Sequence, residues 1–311
     1  MTAIAGIQSL GAREKVSSML RKMSHRGADW QLVVESDGAT FGAAGRKSQV
    51  GLAEIALKRH VVQERISRSH YAMAKIRKNK VELYRDPLGV SPLYYGKTQN
   101  GILCFASEVK GLIEATSDVH CLPPGHSYSE SGLKHHHLIA RGELRQDGAR
   151  NIARDLRQKI EESVSRSIGD GEIGSWLSGG IDSTALAAVA RPHLGEFHTF
   201  AAGMPGSQDI YFAELAARHI GSTHHALRMT SKEILEALPE VIYHLESFDS
   251  LLVRSSVLNY LVAKMASDYV PRVFSGEGSD ELFAGYEYLQ AIPQDALQQE
   301  LNDITGRLHN T

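Results

Sequence analysis

The sequence predicts a two-domain α+β protein, with a β-rich N-terminal domain followed by an α/β domain on a parallel sheet. Three observations carry this expectation. Residues 1–139 read as short strands broken by polar turns, as in "SDGATFGAAG", "HYAMAKIRKNKVELYRD" and "PLYYGKTQNGILCFAS", with turn tips at Lys78-Asn79-Lys80 and Gln99-Asn100-Gly101. Residues 152–311 instead alternate strand and helix, which calls for a parallel sheet with crossover helices. Between them, "ARGELRQDGARN" (140–151) is polar and short of large apolar residues, and is expected to connect the two domains.

Within the second half, "EIGSWL" (172–177) is a short apolar strand, and "STALAAVARPHL" carries helix formers at helical spacing until Pro192. "EFHTFAAG" is a second strand. "IYFAELAARHIG" is helical, with Gly221 placed as its stop. Thr230 and Glu233 fit a capping box ahead of Ile234, Leu235 and Leu238. Pro239 is expected to start a new helix rather than continue the old one. "SSVLNYLVAKMAS" is another helix and "PRVFS" (271–275) another strand. In open parallel sheets ligands sit beyond the carboxyl ends of the strands. The glycine-rich loops at 178–183 and 275–281 each follow a strand directly, so both should line one crevice.

Composition narrows the function classes. The 311 residues are 42% hydrophobic and 23% charged, with a net charge of -2. That leaves room for two cores and gives no electrostatic footprint for nucleic acid or an anionic membrane. No apolar run reaches the roughly 18 to 20 residues that span a bilayer, and the N-terminus lacks the pattern of a signal peptide. Cys104 and Cys121 form neither a CxxC nor a framework, which suits a reducing compartment. A cytoplasmic location is expected. His135-His136-His137 and His224-His225 have no third and fourth ligand at zinc spacing, and are expected at the surface.

The loop "LSGGIDSTA" (177–185) has the chemistry of a phosphate cradle. Gly179 and Gly180 let the backbone turn sharply and approach an anion. A helix starting near Asp182 would aim its free N–H groups and positive end at that anion, and Ser178 and Ser183 add hydroxyls. The lysine of a Walker A loop is absent. Asp182, with Asp280 from "SGEGSDELFAGY" on the next wall, suits Mg²⁺ bound to a pyrophosphate. Gly-Gly before Asp-Ser is also ordinary turn and N-cap chemistry; the second loop in the expected place favours the phosphate reading.

Ser178-Gly179-Gly180-Ile181-Asp182-Ser183 resembles the pyrophosphate loop of the adenylating PP-loop ATPases. "FAAGMPGSQD", "GSTHHALRMTSKE", "VIYHLESFD" and "FSGEGSDELFAGYEY" are similar to asparagine synthetase B and its relative, β-lactam synthetase. The resemblance implies that ATP adenylates a carboxylate, by default aspartate, releasing pyrophosphate, and that an amine attacks the acyl-adenylate. It implies that Leu177, Ser178, Gly179, Gly180, Ala202, Gly203, Ser275 and Gly276 surround the nucleotide, with Asp182 and Ser183 in the same loop. It also implies that Asp182 and Asp280 hold Mg²⁺. Glu277 matches a glutamate of asparagine synthetases where β-lactam synthetases carry tyrosine, and a carboxylate there can serve as general base or orient the amine. Glu246, Asp249 and Arg254 are candidates for shaping the substrate pocket, and equally for helix-surface ion pairs.

The family's N-terminal half is an Ntn-type glutaminase whose mature chain begins with cysteine. "AIAGI", "HRGADW", "RDPLGVSPLYY", "FASEVKGLI" and "LPPGHSY" resemble pieces of it, but Thr2 stands at the nucleophile position. An N-terminal threonine can act as a nucleophile with its own amine as base. Yet the family's Asn-Gly-Glu stretch, a source of oxyanion donors, has no counterpart between Gly42 and His70. A degenerate glutaminase domain is expected, with free ammonia or another amine replacing glutamine. The family also continues, past a lead-in similar to "ELNDITGRLHNT", with Arg-x-Asp and Glu-x-Arg-x-Pro-Phe motifs and a lysine that these residues do not carry. Two expectations follow: a ligase acting on small carboxylate and amine substrates, or a half-site nucleotide-binding subunit completed by a partner chain or a homo-oligomer.

Overall fold

The computed structural model describes residues 2–65, 70–137, 146–168 and 172–307. The chain divides into two compact units, residues 1–142 with 302–311, and residues 143–301. Of the expected connection, 140–145 lie outside the described residues, while 149–151 form the first turn of a helix.

The first unit contains β1 (Ala3–Ile7), α1 (Arg13–Lys22), β2 (Trp30–Ser36), β3 (Ala39–Gly45), α2 (Val50–Lys58), β4 (Val61–Arg65), β5 (Tyr71–Arg77), β6 (Lys80–Arg85), β7 (Tyr94–Lys97), β8 (Leu103–Ala106), α3 (Val109–Leu112), β9 (His120–Cys121), β10 (His126–Ser129) and β11 (Gly132–His135). These strands form two antiparallel sheets, ordered β2-β3-β1-β8-β7-β9 and β11-β10-β6-β5-β4. The tip between β5 and β6 is a two-residue turn with Lys78 and Asn79 both left-handed, at φ 52 and 64, the geometry that matches strand twist in hairpins. β1 is buried along its whole length because both of its faces are covered. Ile4 joins Phe41, Phe105, Ala74 and Leu83 in the core containing residues of both sheets, while Ala3, Ala5 and Ile7 pack with Val16, Met19, Leu20 and Leu112 from the helices.

Beside this core lies a buried ionic network. Arg26 Nη2 is 2.6 and 2.7 Å from the two Glu64 oxygens, and its Nη1 is 2.9 Å from Glu108. Glu108 also accepts from Lys110 at 2.7 Å and lies 3.0 Å from the His25 ring nitrogen. Burial alone would raise the Glu108 carboxyl, but the donors from His25, Lys110 and Arg26 bring it down to about 2. A carboxyl lower in the folded than in the unfolded chain contributes stability that is full above its unfolded value of 4.5 and is lost as pH falls toward 2. Burial holds Glu64 above its ordinary value, which works in the opposite sense. Glu108→Gln is therefore expected to flatten the fall of melting temperature between pH 4.5 and 2. An acid limb as steep as wild type would contradict that assignment.

The second unit begins with α4 (Ala149–Ile168), followed by β12 (Gly174–Trp176), α5 (Ile181–Ala190), β13 (His198–Gly203), α6 (Gln208–Ile220), β14 (Thr223–Arg228), α7 (Ser231–Leu245), α8 (Ser250–Ala266), β15 (Val273–Phe274) and α9 (Ser279–Phe283). A last helix, α10 (Gln294–Arg307), follows. The sheet is parallel throughout, in the order β14-β13-β12-β15. The fold class is the one the sequence predicts. Gly221 ends α6 at φ 71, and Thr230 and Glu233 exchange both bonds of a capping box at the start of α7.

Three expectations are corrected. Pro239 does not start a helix: it lies inside α7, which runs unbroken to Leu245. Leu235, whose carbonyl loses its helical donor there, is exposed to water, and Ala237 and Val241 hold the helix against Val253 and Val257 of α8. β14 was not expected, because "THHALR" lacks an apolar run. Its histidines are half-buried rather than fully exposed, and each has a partner. His224 Nδ1 lies 3.0 Å from Thr199 Oγ1, while His225 Nε2 faces His198 Nδ1 at 3.0 Å beside Phe200 and Tyr269.

Candidate active site

The carboxyl ends of β12, β13 and β15 open onto one cavity of about 330 Å³. Leu177, Ser178, Asp182 and Ser183 reach it from the loop after β12, Ala201 and Ala202 from β13, and Ser275, Gly276, Glu277 and Asp280 from the segment after β15. The crevice expected from the two glycine-rich loops thus exists.

The first loop is built by its glycines and its serines. Gly179 sits at φ +81, and a Cβ there would fall 2.5 Å from Phe212 and 2.6 Å from the Ala213 nitrogen. Only glycine lets this loop lie against α6. Gly180 is the N-cap residue of α5. The Ser183 hydroxyl accepts from Ser178 N–H at 3.1 Å and lies 3.0 Å from Ser178 Oγ. These hydroxyls therefore brace the loop first. The first bond of the α5 ladder runs from Thr184 N–H to Gly180 O, so the N–H groups of Ile181, Asp182 and Ser183 remain for an anion at the positive end of the helix.

Asp182 and Asp280 have no hydrogen bond or ion pair from a side chain among the described residues. Two unpaired carboxylates on one small cavity, beside free N–H donors, form a hard-oxygen donor set. It suits a magnesium ion that takes its remaining ligands from phosphate and water. No group of three or more His, Cys, Asp or Glu side chains placed to hold a metal occurs among the described residues, so this protein would supply only part of the shell. Glu277 is exposed, and its N–H bonds Ser275 Oγ at 3.3 Å. Asp182 and Glu277 also line a wider apolar groove of about 1200 Å³ walled by α4 and α5. Nearby, the Tyr286 phenol is pushed up to about 12, first by its hydrogen bond to Glu281.

Not every expected residue reaches the cavity. Gly179 and Gly180 shape the loop without lining it, and Gly203, at the end of β13, does not line it. Leu177 does line the cavity, but its side chain is fully buried and also packs in the core of this unit. Glu246 is the left-handed residue closing α7, and Asp249 caps α8 by accepting from Leu251 and Leu252 N–H at 2.9 Å each. Neither they nor Arg254 line the cavity. Sequence reading missed Trp176, Phe200, Asp209, Leu258, Asn259 and Val262, which do. The lone amide of Asn259 between Leu258 and Tyr260 was the available signal for the α8 wall.

Comparison with known proteins identifies the family of each region. Residues 155–308 match the asparagine synthase family, and residues 59–122 match the glutamine amidotransferase domain. The glutamine-hydrolysing asparagine synthetase B of Escherichia coli (strain K12) is 29% identical over 365 residues, covering 95% of this chain and 65% of that protein. A glutamine-hydrolysing asparagine synthetase (number 3) of Arabidopsis thaliana is 36% identical over 237 residues, covering 72% of this chain and 40% of that protein. Among solved structures, a glutamine-dependent NAD+ synthetase from Acinetobacter baumannii in complex with ADP aligns at 19% identity and a TM-score of 0.32, over 62% of this chain and 38% of that one. This chain therefore spans less than two thirds of the length of either relative. Through residues 155–308, joined to a glutamine amidotransferase region at 59–122, the chain belongs to the asparagine synthase family.

Proposed function

We propose that the protein is an ATP-dependent amide-forming ligase of the asparagine synthetase type. It adenylates a small carboxylate, by default aspartate, for attack by ammonia or another amine. The observation that carries this reading is the convergence of the 177–183 and 275–280 segments on one cavity with Asp182 and Asp280 unpaired. The N–H groups opening α5 hold the pyrophosphate end of ATP. Asp182 and Asp280 hold Mg²⁺, which would neutralise charge on the phosphates. Glu277 takes a proton from the attacking ammonium or orients the amine.

The state of Thr2 supports ammonia rather than glutamine as the nitrogen source. Its hydroxyl donates to Gln49 Oε1 at 3.3 Å, and its backbone N–H bonds the Glu64 carboxylate. The hydroxyl and the nitrogen that an N-terminal threonine nucleophile would use are thus both engaged. Pyrophosphate release in the presence of ATP, Mg²⁺ and aspartate is expected to yield an amide with ammonium and none with glutamine. Equal product from glutamine would contradict the nitrogen assignment, and no pyrophosphate under any condition would contradict the ligase reading. Glu277→Gln is expected to leave pyrophosphate formation from ATP and aspartate largely intact while slowing amide formation by about 10²- to 10⁴-fold. Parallel loss of both would place Glu277 in nucleotide binding instead.

A further inference from the structure

The first unit contains a cavity of about 410 Å³ that the proposed ligase reaction does not use. Thr2 and Ala43 line one side of it. Ala53, Ala56 and Leu57 from α2 and Val61 and Val62 from β4 supply small aliphatic walls, and Gln49, Arg59 and Gln63 supply its polar groups.

Three features define what fits. The walls suit an apolar chain, and the volume lies within the roughly 300 to 1,000 Å³ of small-molecule sites. Among the described residues no carboxylate lines the cavity: Glu64 is 1% exposed, with its oxygens 2.6 and 2.7 Å from Arg26. An ammonium group would therefore find no anionic partner. The Arg59 side chain, just past the end of α2, has neither a hydrogen bond nor an ion pair among the described residues, while its backbone N–H closes the helix on Ala56. Its unpaired guanidinium offers the planar fork that carboxylates match. The full charge outweighs the half-charge of the neighbouring helix terminus.

We propose that this cavity binds a short aliphatic carboxylate, with the chain among the alanines, leucine and valines and the carboxylate on Arg59. Glutamine is disfavoured because its α-ammonium would be left without a counter-charge. The site thus departs from the ligand that the amidotransferase similarity of this region suggests.

Calorimetric titration of the full chain with butyrate, hexanoate, octanoate and glutamine tests this assignment. Affinity is expected to rise about threefold to fourfold per added methylene until the cavity is full, with no glutamine binding. Arg59→Gln, an exposed substitution, is expected to weaken hexanoate at least about tenfold. Ala56→Phe, which fills the cavity, is expected to abolish binding while near-ultraviolet dichroism reports the retained fold. Three results would overturn the proposal: no carboxylate binding, binding indifferent to both substitutions, or preference for glutamine. None of these readouts depends on pyrophosphate chemistry, so failure here is distinguishable from failure of the ligase reading.

Discussion

Arg26→Met is expected to destabilise the first unit by about 3 to 5 kcal/mol, the usual consequence of removing one member of a buried ionic cluster. Arg26 and Glu64 are 8% and 1% exposed, and the guanidinium bonds both Glu64 oxygens and one of Glu108. Without it Glu64 loses its paired cation, while Glu108 keeps Lys110 and His25. Thermal unfolding monitored by dichroism would register the loss. The mechanism has a sharper consequence: Glu64→Leu added to Arg26→Met should restore much of the stability, because the cost lies in the stranded charge rather than in the lost contact. A double variant as unstable as the sum of the two single ones would mean that packing, not charge, explains the site.

Asp182→Ala is expected to reduce pyrophosphate release by about 10²- to 10³-fold, the range seen when one preorganised electrostatic contact to the reacting charge is removed. Its effect on folding should stay within about 1 kcal/mol, since the carboxylate's only structural benefit is its place in the first turn of α5. Steady-state kinetics beside a melting curve separates the two effects. If activity falls only in proportion to stability, Asp182 serves the helix and not the nucleotide.

The parts of the structure legible in the sequence are those whose cause is local. A glycine forced to φ +81 against α6, a capping box at Thr230 and Glu233, and a left-handed stop at Gly221 each leave a mark within a few residues. The loops at 178–183 and 275–281 could be placed on one crevice because parallel sheets put the loops after their strands on one edge. What escaped reading depends on distant packing. β14 pairs with β13 through a stretch that alternates polar and apolar residues too weakly to announce a strand. α7 runs through Pro239 because its apolar face on α8 outweighs one missing bond. Asp209 and Asn259 join the cavity only because α6 and α8 pack beside β13. The Arg26–Glu64 pair joins residues 38 apart in sequence, with no periodic signal linking them.

The most direct test of the proposed adenylation chemistry is exchange of labelled pyrophosphate into ATP by the intact chain, with Mg²⁺, with and without aspartate, and with no amine present. Exchange that requires the carboxylate and disappears in Asp182→Ala is the expected result, because it reports reversible acyl-adenylate formation in the cavity of Ser178, Asp182, Glu277 and Asp280. ATP turnover to ADP and inorganic phosphate, with no carboxylate-dependent exchange, would contradict it.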